Sequence, residues 1–179
     1  MNRRLSYGIL LCCFLTSVSA ALKANDLMSA GRFVVASVQR QDSVPACREM
    51  ECPVFIHVVK SRQRLYLYVN GALTDTFRAS TGTRKHPTPN INMRPQGPTF
   101  VKYTSRKFPG GNYKGLGNMP YAIFIKGGYA IHGTTPGNFL KLGHRASHGC
   151  IRLHPDNARK LFELVHSYGL QNTWVKVHE

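Results

Sequence analysis

Hydrophobic side chains recur at every second position in two segments of the chain, residues 54–58 and 65–69. This alternation is typical of strands that bury one face. The pair Asn70-Gly71 follows the second segment, and apolar positions resume over residues 73–77. Because Asn-Gly favours the tight turns that join antiparallel strands, the pattern predicts a strand meander.

A second hairpin is predicted around Gly127-Gly128. Residues 121–126 and 129–132 form apolar runs on either side of this pair. The pairing of two such runs through a glycine turn is a hairpin signal. It puts His132 at a strand end, facing the next loop.

The only strong helix signal lies near the C-terminus, between two further strand signals at residues 151–153 and 173–178. Pro155 and Asp156 are typical of a helix start, and Gly169 of a helix end. The core-facing stripe consists of Ala158, Leu161, Phe162, Val165 and Tyr168. The chain therefore predicts a mostly β fold with one main helix in its C-terminal region.

Residues 81–120 interrupt this pattern with many prolines and glycines, so we expect little regular structure there. Basic and aromatic residues alternate within the segment: Arg94, Phe100, Lys102, Tyr103, Arg106, Lys107, Phe108, Tyr113 and Lys114. We interpret it as a long, irregular, basic lid over the functional site. The alternative is a solvated loop whose charges serve only solubility.

The first twenty residues predict export. A positive start, an apolar stretch and a small-residue site ending at Ala20 are typical of a secretory signal peptide. The apolar stretch is shorter than the roughly 20 residues that span a bilayer. We therefore expect residues 1–20 to be removed, residues 21–53 to form an N-terminal extension, residues 54–179 to form one domain, and the mature protein to be soluble in the periplasm or cell envelope.

Export changes the cysteine count. Of the five cysteines, Cys12 and Cys13 leave with the signal peptide, so that Cys47, Cys52 and Cys150 remain. In an oxidising compartment Cys47 and Cys52 are near enough to close a small loop, which leaves Cys150 free. The alternatives are that Cys150 is an inert buried thiol or that it pairs with one of the other two.

The chain is strongly basic, with 24 Lys and Arg against 8 Asp and Glu and a net charge of +16. Such a protein adheres to polyanions. Nucleic acid is disfavoured as a partner because the chain shows no zinc-finger, helix-turn-helix or RNA-binding aromatic signature. An anionic cell envelope is the expected partner.

Candidate chemistry concentrates in the run Ser147-His148-Gly149-Cys150-Ile151-Arg152-Leu153, whose cysteine lies eighteen residues after His132. A thiol and a histidine that takes its proton are the parts needed for acyl transfer through a thioester. We assign Cys150 as nucleophile and His132 as base, since His132 arrives from another strand whereas His148 lies two residues from the thiol. Backbone N–H groups around His148, Gly149 and Cys150 are the candidate oxyanion donors.

Alternatives exist for each of these roles. Ser147 is a candidate turn cap, and Arg152 either grips a substrate carboxylate or pairs with an acidic residue such as Asp156. A zinc site built from His132, His144, His148 and Cys150 is the main rival, although the usual ligand spacings are absent. We expect no metal and no cofactor.

These motifs resemble those of the L,D-transpeptidase (YkuD-like) catalytic domain family. His132, fourteen intervening residues and Ser147-His148-Gly149-Cys150 match the family signature, and Met119-Pro120-Tyr121 with residues 127–134 matches its upstream block. A looser similarity extends through Ser80-Thr81-Gly82 and Thr88-Pro89 to about Val54. The resemblance implies a β-sandwich or mixed-sheet domain.

The resemblance also implies an activity. In this family a cysteine matching Cys150 attacks the third-residue carbonyl of a peptidoglycan stem tetrapeptide, releases D-alanine and passes the acyl group to an amine, giving a 3→3 crosslink. The base matches His132, and the carbonyl of Gly133 orients its ring. Arg152 and Tyr121 are candidate substrate-binding residues, with Arg152 standing where some members carry asparagine. Carbapenems are expected inhibitors.

Other functions are consistent with the same residues. The acyl acceptor is a stem-peptide amine in the leading hypothesis; water would make the protein an L,D-carboxypeptidase, and a lysine would make it an enzyme that attaches a lipoprotein or outer-membrane protein. A wall-binding module without turnover is the remaining alternative, and the intact pair of His132 and Cys150 argues against it.

Overall fold

The computed structural model describes residues 47–179, so the predicted signal peptide and most of the predicted extension lie outside the described residues. The strands in this part of the chain are β1 (Val54–Val59), β2 (Arg64–Val69), β3 (Ala72–Arg78), β4 (Ile91–Met93), β5 (Thr99–Phe100), β6 (Ala122–Lys126), β7 (Tyr129–Gly133), β8 (Ile151–Leu153) and β9 (Thr173–His178). One α-helix, α1, spans Pro155–Tyr168, and single 3-10 turns span Glu49–Glu51, Pro136–Lys141 and Leu170–Asn172.

The strands form two mixed sheets. The five-stranded sheet has the order β3-β2-β1-β9-β4, and the four-stranded sheet has the order β5-β6-β7-β8. Each sheet contains one parallel pair, β1 with β9 and β7 with β8, and its other pairs are antiparallel. The prediction of a mostly β fold with mixed sheets and one main helix is confirmed.

Both predicted hairpins are present, and their turns lie at Asn70-Gly71 and Gly127-Gly128. Asn70 and Gly71 have φ values of 48° and 79°, and Gly127 and Gly128 have 53° and 85°. Positive φ at both central residues is the condition for the turn whose twist matches that of the flanking strands. The β2–β3 and β6–β7 pairs follow directly.

Helix α1 packs against strands of both sheets and contributes to the main apolar cluster. Ala158, Leu161, Phe162 and Val165 are its buried apolar residues after Pro155, as the predicted stripe requires, and Tyr168 packs at the edge. They join one cluster with apolar residues of β1, β2, β6, β7, β8 and β9. The helix ends at Gly169, whose φ is 86°.

The segment 81–120, in which we expected little regular structure, contains two short strands. It contains β4, which pairs antiparallel with β9, and β5, which pairs with β6. These strands have only three and two residues, so they carry too little periodicity to be predicted. The irregular stretch that remains after β5 continues to the start of β6 at Ala122.

A disulfide joins Cys47 and Cys52, and Cys150 is the free cysteine among the described residues. The disulfide packs with Phe55 and Trp174 on the outer face of the five-stranded sheet. Within residues 47–179, no helix has the length and apolar character that crossing a membrane requires.

Candidate active site

A cavity of about 840 Å³ lies where the irregular stretch faces the ends of β7 and β8. This size is within the range of small-molecule and peptide-fragment sites. It contains four of the predicted site residues: His132, His148, Cys150 and Arg152. Other lining residues include Tyr103, Ser105, Arg106, Lys107, Phe108, Asn118, Met119, Phe124, Tyr129, Thr134, Thr135, Asn138 and Lys141.

The parallel pairing of β7 with β8 brings the two halves of the motif together. His132 lies opposite Arg152 in the ladder, and Ile131 lies opposite Ile151. Cys150 comes immediately before β8, so its side chain lies at the start of that strand beside the neighbouring β7. Eighteen residues of sequence separation are thus bridged by one strand pair.

His132 is buried, with 4% of its surface exposed. Its Nδ1 lies 2.7 Å from the carbonyl oxygen of Gly133. A carbonyl only accepts hydrogen bonds, so Nδ1 carries the ring proton and Nε2 is left as a free base. Burial, assisted by the Arg152 charge and opposed by the Gly133 hydrogen bond, lowers the pKa of His132 from 6.5 to about 4. The ring is therefore neutral at pH 7.

The Gly133 carbonyl is fixed in this position because Gly133 packs closely against Pro120 and Pro155. Its N–H donates to the Pro120 carbonyl at 2.7 Å. A Cβ at Gly133 would lie 2.9 Å from the Pro120 ring and 3.0 Å from the Pro155 Cα, so a larger residue would push β7 away from both. The start of α1 and the chain before β6 thereby fix the group that orients His132.

Cys150 is half-buried and makes a long contact of 3.8 Å from Sγ to the carbonyl oxygen of Gly128. Burial raises the pKa of the Cys150 thiol above its ordinary value, and a backbone hydrogen bond at Ala130 and the Arg152 charge oppose that shift. The thiol is therefore protonated at rest.

Ser147 holds the turn that precedes Cys150. Its Oγ accepts from the Gly149 N–H at 3.0 Å and donates to the Cys150 carbonyl. The Gly149 N–H is consequently already engaged, which leaves those of His148 and Cys150 as candidate oxyanion donors. Gly149 itself has a φ of 115°, and a Cβ there would lie 2.9 Å from the Tyr129 ring. Backbone conformation and crowding both require glycine.

Arg152 is partly buried and donates to the Ala146 carbonyl at 3.0 Å, while Asp156 pairs instead with His154. Burial lowers the pKa of the Arg152 guanidinium, although it remains a cation at neutral pH. Its remaining donors are available to a ligand because Arg152 lines the cavity. The alternative of an ion pair with Asp156 is not what the structure shows.

His148 and Tyr121 differ in their relation to the cavity: His148 lines it and Tyr121 does not. The exposed His148 ring stacks on Phe108, with centroids 4.1 Å apart, and so joins the motif to the irregular stretch. Tyr121 packs toward Phe162 of α1, with centroids 6.0 Å apart, and is not among the residues that line the cavity. The structure brings His148, but not Tyr121, to the site.

Several lining residues were not singled out from the sequence. Asn138 and Lys141 reach the cavity from the 3-10 turn Pro136–Lys141, where Lys141 donates to Asn138 at 3.1 Å. A short turn has no periodicity that marks its faces. Tyr129 lies in the predicted hairpin and in the upstream motif block, and neither pattern shows that its ring faces Gly149 in the cavity.

The described residues contain no group of three or more His, Cys, Asp and Glu side chains arranged to hold a metal ion. Of the four ligands considered for zinc, His144 is not a lining residue of the cavity. Among its lining residues the cavity has one thiol, two imidazoles and four cationic side chains.

The cavity of this mixed-sheet domain contains a cysteine and a neutral imidazole, the residue types that nucleophilic catalysis by a thiol uses. A family model, the YkuD L,D-transpeptidase catalytic domain, matches residues 53–177, and the chain belongs to this family. A search of curated proteins found no match.

Solved structures show the same fold. An L,D-transpeptidase from Mycobacterium smegmatis is 23% identical, with a TM-score of 0.58 over 72% of this chain and 59% of that one. LdtMt1 in complex with imipenem is 22% identical, with a TM-score of 0.59 over 71% and 59%. L,D-transpeptidase 3 from Mycobacterium tuberculosis in complex with a faropenem-derived adduct is 20% identical, with a TM-score of 0.55 over 72% and 61%. The chain spans about three fifths of these proteins.

Proposed function

We propose that this protein is an exported peptidoglycan L,D-transpeptidase in which Cys150 is the nucleophile and His132 is the base. The single observation that supports this most is the state of His132. Its Nδ1 proton is committed to the Gly133 carbonyl, and its neutral Nε2 belongs to the same cavity as the free thiol. Family membership gives the reaction class.

In the first half-reaction, Nε2 of His132 takes the thiol proton as Sγ of Cys150 attacks the third-residue carbonyl of a stem tetrapeptide. The tetrahedral intermediate collapses, the bond to D-alanine breaks, and the leaving amine takes the proton from the imidazolium. A thioester at Cys150 remains. The N–H of Cys150 is the candidate donor to the oxyanion.

In the second half-reaction, an amine of another stem peptide attacks the thioester and gives a proton to His132. The bond from Sγ to the acyl carbon breaks, and the proton returns to the thiol. The products are the regenerated enzyme and a 3→3 crosslink. The same balance holds if water or a lysine of an envelope protein replaces the stem-peptide amine.

The charge of the cavity supports an anionic substrate. Arg106, Lys107, Lys141 and Arg152 line it, and none of its lining residues is acidic. Stem peptides carry several carboxylates, which fixed cations attract and orient. The amine that acts as acceptor must reach the thioester unprotonated, and a field of cations lowers its pKa. Two of the related structures contain imipenem or a faropenem-derived adduct. Carbapenems such as imipenem are therefore the inhibitors to test.

Product analysis tests the proposal. The mature protein and its Cys150→Ala variant are incubated with disaccharide tetrapeptides, and the products are read by mass spectrometry. We expect a crosslinked dimer and free D-alanine from the wild type and neither from Cys150→Ala. Tripeptide without dimer would instead support the carboxypeptidase, and no product at all would contradict the enzyme.

The roles of the two histidines are separated by a matched pair of variants. Loss of a general base costs about 10²- to 10⁴-fold, so His132→Ala should lose carbapenem acylation by at least about 100-fold. His148→Ala, which removes a ring from the same cavity, should lose far less. Equal losses would leave His132 without its assigned role.

A further inference from the structure

The peptide that joins Gly149 to Cys150 is hydrogen-bonded through its carbonyl to Thr88, a residue distant in sequence. The Thr88 hydroxyl accepts from the Gly82 N–H at 2.8 Å and lies 2.7 Å from the Gly149 carbonyl oxygen. A hydroxyl has one proton to give. Because the Gly82 N–H donates to Thr88, the Thr88 proton is directed to the Gly149 carbonyl, and the direction of both bonds is settled.

This bond fixes the orientation of a whole peptide plane. In a trans peptide the carbonyl and the following N–H point to opposite edges. Thr88 is 3% exposed and is not a cavity-lining residue, so the Gly149 carbonyl points into the protein. The N–H of Cys150 therefore lies on the opposite edge, the edge away from Thr88.

The plane needs such a lock because it follows a glycine. Gly149 has a φ of 115°, a region in which glycine moves with little steric restraint. A rotated plane would turn the carbonyl oxygen, rather than the N–H, toward a substrate oxyanion. Ser147 holds the other side of Gly149 by accepting its N–H at 3.0 Å. Two hydroxyls thus hold the two peptide planes of one glycine.

Thr88 is itself anchored by a buried charge. Nζ of Lys60, whose side chain is 8% exposed, donates to the Thr88 carbonyl at 3.2 Å and pairs with Glu179 at 3.0 Å. The Thr88 backbone therefore has little freedom to follow a rotating Gly149 carbonyl. The Thr88 hydroxyl is therefore a fixed hydrogen-bond donor to the Gly149 carbonyl.

We propose that Thr88 is a positioning residue that holds the Gly149–Cys150 peptide with its N–H available to the oxyanion of the acyl-transfer reaction. Thr88 touches neither substrate nor thiol in this role; it acts through the Gly149 carbonyl. The inference rests on the proposed acyl transfer at Cys150, and its test separates the two.

The test compares two reactions of the same thiol. Acylation by imipenem passes through a tetrahedral oxyanion, whereas alkylation by iodoacetamide is a direct displacement that needs no oxyanion donor. Loss of one donor costs about 10²- to 10³-fold, so misorienting it in Thr88→Val should lower the limiting acylation rate by at least about tenfold. The concentration for half-saturation and the alkylation rate should stay close to those of the wild type.

Two controls accompany this variant. Thr88→Ser keeps the hydroxyl and should restore acylation. Thr81→Val removes another buried hydroxyl, which accepts from Gln63 at 2.6 Å and does not touch Gly149, and should leave acylation intact. Thr88→Ala replaces Thr88→Val if the latter does not fold, as judged by thermal unfolding, with the same selective loss expected.

The outcomes distinguish the proposals. A wild type that imipenem does not acylate contradicts the proposed function itself. Normal acylation of the hydroxyl-free variant, or parallel loss of acylation and alkylation, overturns the positioning role while acyl transfer stands. If neither hydroxyl-free variant folds, Thr88 is a folding determinant and the positioning role also falls.

Discussion

Burial favours the neutral form of both His132 and Cys150, because it lowers the pKa of the imidazole and raises the pKa of the thiol. The resting pair is therefore an imidazole and a thiol rather than an imidazolium and a thiolate. A protonated thiol is a poor nucleophile. In this account the proton moves as substrate is attacked, and His132 must be unprotonated beforehand.

The pH dependence of carbapenem acylation follows from the state of His132. The base is unprotonated above its pKa, which is about 4 rather than the ordinary 6.5. We expect the acylation rate at subsaturating carbapenem to be level through neutral pH and to fall only as pH drops toward 4. Rapid-mixing measurements between pH 4 and pH 8 give the profile.

Iodoacetamide alkylation supplies the control, because it reports the thiolate directly. It should be slow at neutral pH and rise only on the alkaline side, as the raised pKa of Cys150 requires. A fall of acylation centred near 6.5 would contradict the lowered pKa of His132. Fast alkylation that persists below pH 6 would indicate a preformed ion pair of thiolate and imidazolium.

At this scale the sequence was informative where chemistry and spacing coincide. The motif around Cys150 and the histidine eighteen residues before it predict a nucleophile and a base, and the structure brings both residues to one cavity. The contact of Thr88 with Gly149 spans 61 residues and involves a hydroxyl with no chemistry of its own. Tyr121 was selected from its place beside a motif, and its packing toward Phe162 depends on tertiary contacts that no local pattern shows.

At the scale of elements, α1 supports the site by closing the core behind it. Leu161 is fully buried in the cluster that both sheets share, and Pro155 at the start of the helix abuts Gly133. The packing of the helix and the position of the group that orients His132 are thus connected.

Leu161→Ala should destabilise the fold by about 2–5 kcal/mol, because it removes buried methyl groups and leaves a cavity. Leu140→Ala is the control, since that side chain is 93% exposed. Surface changes of this kind usually stay within about 0.5 kcal/mol. Urea unfolding measures both free energies, and similar values for the two variants would contradict the assigned core.

Elements with strong local signals were predicted well. Both hairpins and α1 follow from turn residues and apolar spacing, and β8 and β9 follow from short apolar runs. The strand β4 was missed because three residues carry no usable period, and Ile91 is buried through pairing with β9, 86 positions further along at Val177. Its existence depends on a partner, not on its own sequence.

At the scale of the whole molecule, residues 151–179 connect the two sheets. After β8 completes the four-stranded sheet, α1 crosses the core and β9 enters the five-stranded sheet between β1 and β4. Parallel pairing requires such crossovers, and alternation of side chains alone does not reveal which strands pair. The strand order was therefore beyond local prediction, although the fold class was not.

The excess of basic residues has a local consequence at this scale. With 24 Lys and Arg against 8 Asp and Glu, most cations have no acidic partner to pair with. Four of them line the cavity, where their charge attracts anions. The charge of the chain and the charge of the site thus favour the same anionic envelope substrate.

The proposed acyl transfer requires that the Cys150 thiol carry the acyl group. Mature protein, incubated with imipenem and separately with disaccharide tetrapeptide, is measured by intact-mass spectrometry and then digested to locate the adduct. We expect one imipenem equivalent per chain, or an acyl-tripeptide intermediate trapped by acid quench, on the peptide that contains Cys150, and no adduct on Cys150→Ala. An adduct on any other residue, or an unmodified Cys150 at saturating imipenem, would contradict it.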